Sequence, residues 1–234
     1  MYDAATGILL RRYRRGDAAI PGFLDDYAFF TQALLDLYET GFEWRDLELA
    51  IRLTEKLVDL FEDKEHGAFY STAAGDSTLV LRIKEDYDGA EPSGSSIAVL
   101  NLLSLARITN RQDLRTLAER ALAAFGSRMV AAPVGVPQML VAYEFAISKP
   151  RQIMLVGERD APDTRRLLAA LHARFVPHCI VLLVTAASRA ALQRYLPTVA
   201  GMTALGGQAT AYVCEDYACQ LPTADVEAFA RLLQ

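Results

Sequence analysis

The chain has 234 residues, 52% of them hydrophobic and 23% charged, and a formal net charge of -5. Such a chain can bury a core as one large domain or two small ones. Its negative charge argues against nucleic acid as a partner, because phosphate contacts require a basic face. Its apolar runs are far shorter than the roughly 20 residues that cross a bilayer, so we expect no membrane partner and a cytoplasmic protein with reduced cysteines.

The first 22 residues are predicted to be irregular or partly extended, ending at the breaker pair Pro21-Gly22. Arginines occupy positions 11, 12, 14 and 15 of this segment. We interpret them as a solvated face or as partners of Asp25 and Asp26, with binding of an anionic ligand as the alternative.

Apolar residues at helical spacing predict five helices in the first two thirds of the chain. Their ranges are Phe23 to Thr40, Arg45 to Phe61, Ser93 to Ile108, Gln112 to Arg128 and Gly135 to Ile147. The first, third and fifth are mostly apolar and are expected to be buried, whereas the other two are amphipathic. This alternation is typical of an inner and an outer ring of helices rather than of a simple bundle.

Between the second and third helices, residues 62–92 are predicted to be non-helical. The segments Gly67 to Thr72 and Thr78 to Lys84 alternate between apolar and polar residues, which predicts two short strands joined by a turn at 73–77.

The pattern changes after Lys149-Pro150, where strands begin to alternate with helices. The predicted strands are Gln152 to Gly157, Cys179 to Thr185 and Thr210 to Cys214, and the predicted helices are Asp163 to Phe175, Ala186 to Tyr195 and Thr223 to Leu233. This order predicts a small parallel sheet. We therefore divide the chain into a helical part at 1–149 and a small α/β subdomain at 150–234.

The stretch from Asp86 to Ala98 has the densest set of side chains able to do chemistry. Asp86, Asp88 and Glu91 precede small residues and then the most apolar helix. One interpretation is an acidic turn followed by a helix N-cap at Ser93 or Ser95. The other is a sugar site, because glycoside chemistry uses a pair of acids at controlled separation.

Three other segments are candidate sites. Asp25 and Asp26 open the first helix, where one carboxylate is expected to cap the helix and the other to be exposed or near a cavity. The turn from Gly157 to Thr164 is interpreted as a capped helix start rather than a phosphate loop. Cys214 and Cys219 lack the spacing and the histidines of a metal site, so free thiols are favoured over zinc or a disulfide.

Four stretches in order carry a family resemblance: Gly22-Phe-Leu-Asp-Asp-Tyr-Ala-Phe, Asp88-Gly-Ala-Glu-Pro-Ser-Gly-Ser-Ser-Ile-Ala, Pro150-Arg-Gln-Ile-Met-Leu-Val-Gly and Ala211-Tyr-Val-Cys-Glu-Asp-Tyr-Ala-Cys-Gln. Together they resemble the C-terminal part of the thioredoxin-domain proteins related to spermatogenesis-associated protein. The resemblance implies a mainly α fold, namely a partial six-hairpin α/α toroid followed by a small α/β subdomain. The chain departs from the family in having Ser95 where asparagine is common and in lacking a Cys-x-x-Cys motif.

The toroid of this family is similar to that of N-acylglucosamine 2-epimerases and glycosidases, so the resemblance implies carbohydrate processing or binding. The catalytic candidates are Asp26 and Asp88, and the substrate-binding candidates are Tyr27, Arg82, Ser93 and Ser95. No metal and no cofactor are expected, and the expected ligand is a sugar.

The alternative is a non-catalytic interaction or structural half-domain that completes a split or truncated thioredoxin-domain protein. About five of the twelve toroid helices are present, and half a ring leaves the apolar flanks of its inner helices uncovered. We therefore expect self-association or a separately encoded N-terminal half as partner.

Overall fold

The computed structural model describes residues 1–75, 79–149, 151–215 and 218–233. The chain forms two compact units. The first comprises Met1–Asp36, Arg45–Ala106 and Arg111–Ile147, and the second comprises Leu37–Trp44, Arg107–Asn110 and Ser148–Gln234. The boundary near Lys149 stays a prediction, and Pro150 lies outside the described residues. No helix in the described ranges is both long and apolar enough to cross a membrane.

The first unit opens with an antiparallel sheet of three strands, in the order β1-β2-β3. The strands are β1 (Tyr2–Asp3), β2 (Ile8–Arg14) and β3 (Asp17–Pro21). Arg15 and Gly16 connect β2 to β3 with φ values of 53° and 84°. Two consecutive positive φ values are typical of the tight hairpin turn, but arginine is an unusual first residue there. The sequence therefore predicted extended chain but not this hairpin.

Six α-helices follow in the described residues up to 149 and confirm the five predicted ones. They are α1 (Leu24–Gly41), α2 (Trp44–Phe61), α3 (Gly94–Thr109), α4 (Gln112–Ala124), α5 (Gly126–Ala131) and α6 (Pro137–Ile147). The fourth predicted helix is divided at Phe125 into α4 and α5.

Burial of these helices agrees only partly with the predicted alternation. Helix α3 is buried on most sides, as predicted. Helix α6 buries Met139, Ala142 and Phe145, but Val141 and Ile147 are 44% and 65% exposed. The prediction that the first and the last of these helices are buried on most sides is therefore wrong, because α1 exposes Phe30 and Leu37 and one apolar face of α6 is open.

The two strands predicted between α2 and α3 do not form in the described residues. Gly67 and Ala68 have φ values of 76° and 62°, which an extended strand does not allow. A single bridge, between Glu62 and Phe69, is present instead of a ladder. Thr78 and two residues of the predicted turn, Asp76 and Ser77, lie outside the described residues.

The second unit contains a sheet of four strands in the order β5-β4-β6-β7. Its elements are β4 (Arg151–Val156), α7 (Pro162–His172), β5 (Cys179–Val184), α8 (Arg189–Tyr195), β6 (Thr210–Glu215), β7 (Ala218–Cys219) and α9 (Val226–Leu232). These elements confirm the predicted alternation of strands and helices.

The predicted parallel sheet is only partly correct. Strands β4 and β5 are parallel, but β6 runs antiparallel to β4, with Thr210 opposite Val156. Val184 at the end of β5 and Thr210 at the start of β6 both lie opposite Val156, so the chain leaves β5 and enters β6 at the same end of the sheet. The sheet is consequently mixed.

The prediction of free thiols is wrong for two of the three cysteines. Cys214 and Cys219 are opposite each other in the β6–β7 register and form a disulfide. The sequence did not show that these strands pair, and pairing is what brings the two thiols together. Asp216 and Tyr217, which lie between them, are outside the described residues. Cys179 is free.

Candidate functional site

The first turn of α1 directs two neighbouring carboxylates to different surroundings. Asp26 Oδ2 accepts a hydrogen bond of 2.8 Å from the backbone N–H of Phe23 and lies 3.5 Å from Nε of Arg11. It lines a cleft of about 370 Å³ together with Arg11 and Phe30. Asp26 thus holds the start of the helix and pairs with a cation.

Asp25 lines a second cleft of about 370 Å³. The rest of its lining is Phe29, Glu85, Tyr87, Gly89, Ala90, Glu91 and Pro92. This described lining contains three carboxylates and two aromatic rings and no cationic side chain. We call it the acidic cleft.

The carboxylates of the acidic cleft affect one another. Burial raises the pKa of Asp25, and the negative charge of Asp26 raises it further against the opposing effect of Arg11. Partial burial also raises the pKa of Glu85, and nearby carboxylates, Asp25 first, add to the increase. Glu85 is more exposed than Asp25, so solvent screens the repulsion between Glu85 and its neighbouring carboxylates more strongly. Asp25 is therefore the group best placed to hold a proton at a pH where an ordinary aspartate has lost it.

Oδ1 of Asp25 is buried and has no hydrogen-bond partner among the described residues. A carboxylate oxygen in such a position costs free energy unless it is protonated or finds a donor. This oxygen packs against the backbone of Gly94, so protonation of the carboxyl is the change that lowers this cost, in line with the raised pKa of Asp25.

Asp88, the other predicted catalytic acid, is 6% exposed and bonded to backbone groups. Its Oδ1 accepts the N–H of Ser93 at 2.9 Å. Its Oδ2 accepts the N–H groups of Gln138 and Met139 at 2.9 and 3.2 Å. Asp88 therefore joins the starts of α3 and α6, a role that uses both of its oxygens.

Two of the predicted substrate-binding residues are bonded within the protein. Tyr27 is fully buried, and its hydroxyl accepts the N–H of Leu9 at 2.9 Å. The guanidinium of Arg82 donates to the carbonyls of Thr72 and Leu60 and stacks 4.0 Å from the ring centre of Tyr70. Arg82 thus secures the loop before α3.

The two predicted serine ligands differ from each other. Ser93 is the N-cap of α3, since its Oγ accepts the N–H of Ser96 at 3.2 Å, which confirms one of the two predicted cap positions. Ser95 is fully buried, and its Oγ has no partner in the described part of the chain.

The structure therefore joins Asp88 to Ser93 but places none of the six predicted site residues in the lining of the acidic cleft. Tyr87 and Glu91 of the cleft lie within the stretch from Asp86 to Ala98 that the sequence singled out, whereas Glu85 lies one residue before it and was missed. The dense acidic run from Glu85 to Glu91, interrupted by Tyr87, was the available signal.

The fold and the cleft define a mainly helical protein with an α/β part and an acidic surface site. No family model matches the chain. The chain is 37% identical over 242 residues to spermatogenesis-associated protein 20 of Homo sapiens and 35% identical over 242 residues to that of Rattus norvegicus. Each alignment covers 100% of this chain and 31% of the relative.

An uncharacterised protein of Caenorhabditis elegans is 30% identical over 218 residues, which covers 93% of this chain and 29% of the relative. The chain thus spans about a third of the length of the curated relatives it matches. These similarities support the predicted relation to spermatogenesis-associated protein, whereas the toroid and a thioredoxin domain stay predictions.

Proposed function

We propose that the acidic cleft binds a carbohydrate and that the protein is a carbohydrate-binding or carbohydrate-processing protein of the N-acylglucosamine 2-epimerase and glycosidase-like class. The observation that carries this proposal is the combination of Asp25, Glu85 and Glu91 with two aromatic rings in one cleft. Carboxylates accept hydrogen bonds from sugar hydroxyls, and aromatic rings pack against the apolar face of a sugar ring.

The roles follow from the environment of each group. Phe29 and Tyr87 are 36% and 56% exposed, so their rings are available to a ligand. Asp25, with its raised pKa and its unpartnered oxygen, is the proposed proton carrier. Glu91, which lines the same cleft, is the proposed second carboxylate, because sugar chemistry by acids requires one group that gives a proton and one that accepts it.

The assignment of Asp26 and Asp88 as the catalytic pair stays a prediction. The geometry favours Asp25 over both, because Asp26 and Asp88 already accept backbone N–H groups. The three variants D25N, D26N and D88N separate these assignments, provided that each is first shown to be folded.

The test is ligand-observed NMR with a panel of glucose, N-acetylglucosamine, N-acetylmannosamine and glucosamine at millimolar concentration. We expect at least one sugar to bind, and we expect D25N and Y87A to weaken its binding about tenfold, the loss of one good polar or stacking contact. D59N, on the exposed face of α2, is the matched control and should bind as the wild type does. Absence of binding by the whole panel, or binding unchanged in D25N and Y87A, overturns the proposal.

A second candidate function is the interaction half-domain, and one segment favours it. Between residues 79 and 84 the charged side chains face the protein and the apolar ones face solvent. Arg82 and Lys84 are partly buried, whereas Leu81 and Ile83 are 75% and 60% exposed. Charged side chains are normally exposed and large apolar ones buried, and exposed apolar segments mark contact surfaces.

Lys84 shows why the segment is held in this inverted orientation. Its ammonium group lies 2.7 Å from the carboxylate of Asp63 and donates to the carbonyl of Gly67 at 2.6 Å. The polar contacts thus fix the inner side, which leaves Leu81 and Ile83 outside for a partner.

A separately encoded N-terminal half is the partner that the length of the relatives suggests, since the chain matches only 31% of spermatogenesis-associated protein 20. An open reading frame upstream of the codon for Met1 that encodes the remainder, and whose product co-elutes with this chain, supports this function. L81S/I83S should then abolish co-elution, whereas V134S, at a position that is 92% exposed, should not. Absence of such a reading frame removes the split-protein interpretation.

A further inference from the structure

We propose that two copies of this chain associate reciprocally, with the arginine hairpin of each copy entering the acidic cleft of the other. The arginine hairpin is residues 12–17, the end of β2, the turn and the start of β3. This association does not depend on sugar binding, and it assigns a partner to two surfaces that are oppositely charged.

The arginine hairpin carries cations that no carboxylate in the described part of the chain neutralises. Arg12 pairs with Asp17 at 2.8 Å. Arg14 and Arg15 are exposed, and no ion pair joins either to a carboxylate of the described residues. Arg15 has a φ of 53°, a conformation that costs a non-glycine residue free energy, and it places a guanidinium at the tip of the turn.

Among the described residues, the acidic cleft has negative charges and lacks a cation to pair with them. Its described lining contains Asp25, Glu85 and Glu91 with no cation. Burial raises the pKa of both Asp25 and Glu85, and the negative charge of Glu91 adds to both increases. A guanidinium that enters the cleft relieves this repulsion and can donate to two carboxylate oxygens at once.

The aromatic rings of the cleft also suit a guanidinium. Arginine stacks favourably on aromatic faces, and the chain uses this contact twice in its own fold. Arg11 lies 4.2 Å from the ring centre of Phe23, and Arg82 lies 4.0 Å from that of Tyr70. Phe29 and Tyr87 offer the same type of surface in the cleft, unoccupied by an arginine of the described chain.

The positions of the two surfaces allow a closed dimer. Arg11, at the base of the hairpin, contacts Asp26, and the adjacent residue Asp25 lines the cleft. Hairpin and cleft therefore flank the same first turn of α1. A twofold axis near this turn brings each hairpin to the other cleft, so that the contact is formed twice and no surface is left to propagate a filament.

The experiment is light scattering coupled to size exclusion on the intact chain, at about 50 mM and about 500 mM salt, because screening weakens charge pairing over this range. We expect a dimer at low salt that dissociates at least tenfold more readily at high salt. R14E/R15E and E85R/E91R should each be monomeric at low salt. An equimolar mixture of the two variants should again form a dimer, because one arginine hairpin and one acidic cleft remain complementary.

R45E/R52E, a reversal of two exposed charges on α2 that belong to neither surface, is the matched control and should dimerise as the wild type does. A monomer at low salt, a dimer that neither variant disrupts, or two monomeric variants that fail to associate when mixed would each overturn the proposal. Sugar binding is measured separately at high salt, where the chain is monomeric, so failure of one proposal leaves the other intact.

Discussion

The carboxylate of Asp25 lies against the backbone of Gly94, at the place where a side chain on residue 94 would begin. A Cβ on Gly94 would overlap Oδ1 of Asp25 and would lie 3.0 Å from its backbone nitrogen and 3.1 Å from its Cα. The first turns of α1 and α3 therefore approach as closely as they do only because residue 94 has no side chain. This contact fixes the position of the carboxylate that we propose as the proton carrier.

Replacement of Gly94 by alanine should destabilise the protein by about 1–3 kcal/mol, the usual cost of overpacking. The comparison is G126A, because Gly126 also begins a helix but has no atom near the added methyl group. Alanine at 126 should be neutral or slightly stabilising. Urea unfolding measures both, and equal midpoints for G94A and the wild type would show that the two helices can separate without cost.

Replacement of Asp88 by asparagine should destabilise the protein by about 1–3 kcal/mol, because one of its oxygens becomes a donor that faces backbone N–H groups. The affected bonds are those to Ser93 on one side and to Gln138 and Met139 on the other. D59N, in an exposed ion pair, should change the urea midpoint little. A fully stable D88N would contradict the capping role and would favour the predicted catalytic one.

Replacement of Glu85 by glutamine should stabilise the protein at neutral pH and have no effect near pH 3. Partial burial and neighbouring carboxylates raise the pKa of Glu85 in the folded state above its ordinary value of 4.5. A carboxyl pKa that is higher in the folded than in the unfolded state lowers the free energy of unfolding as the pH rises through these two pKa values. E85Q removes this loss. Thermal unfolding at both pH values tests this, with E65Q on an exposed side chain as the control.

Replacement of Asp63 by asparagine should have the opposite pH dependence. The ammonium of Lys84 and backbone N–H groups hold the pKa of Asp63 well below its usual range. A lowered pKa stabilises the folded state above the unfolded value near 3.9, and this contribution is lost as the pH falls further. D63N should therefore be less stable than the wild type at pH 7, with a difference that narrows below about pH 4. A constant difference across this range would exclude the charge of Asp63 as its cause.

Reduction of the Cys214–Cys219 disulfide should lower the stability of the second unit by about 2 kcal/mol, the entropic effect of closing so short a loop. Urea unfolding with and without a phosphine reductant measures this, and C214S/C219S should not respond to the reductant. Thiol titration of the denatured oxidised chain should detect Cys179 alone. Detection of all three thiols before reduction would contradict the disulfide.

Local pattern predicted most of the helices and three strands of the second unit. The spacing of Leu47, Leu53 and Leu57 on one face is enough to fix α2, because helix formation depends on residues a few positions apart. The N-cap at Ser93 was one of two predicted positions for the same reason, since a cap bonds within its own turn.

Long-range pairing was beyond the reach of such patterns. Two features depend on which chain segments meet, and packing over many residues decides that. They are the direction of β6 beside β4 and the disulfide between Cys214 and Cys219. The inverted segment around Leu81 was predicted as a strand because its alternation is correct, yet the alternation does not say which side faces the protein.

For the candidate site, the sequence by itself determined that carboxylates cluster before α3 and at the start of α1. Only the tertiary structure decided which of them face a cleft. Asp88 and Asp26 accept hydrogen bonds from backbone N–H groups, whereas Asp25 lines a cleft, and burial and then neighbouring negative charges raise its pKa. The reason is physical: the identity of a carboxylate is local, but its protonation and its partners are set by the groups that folding brings around it.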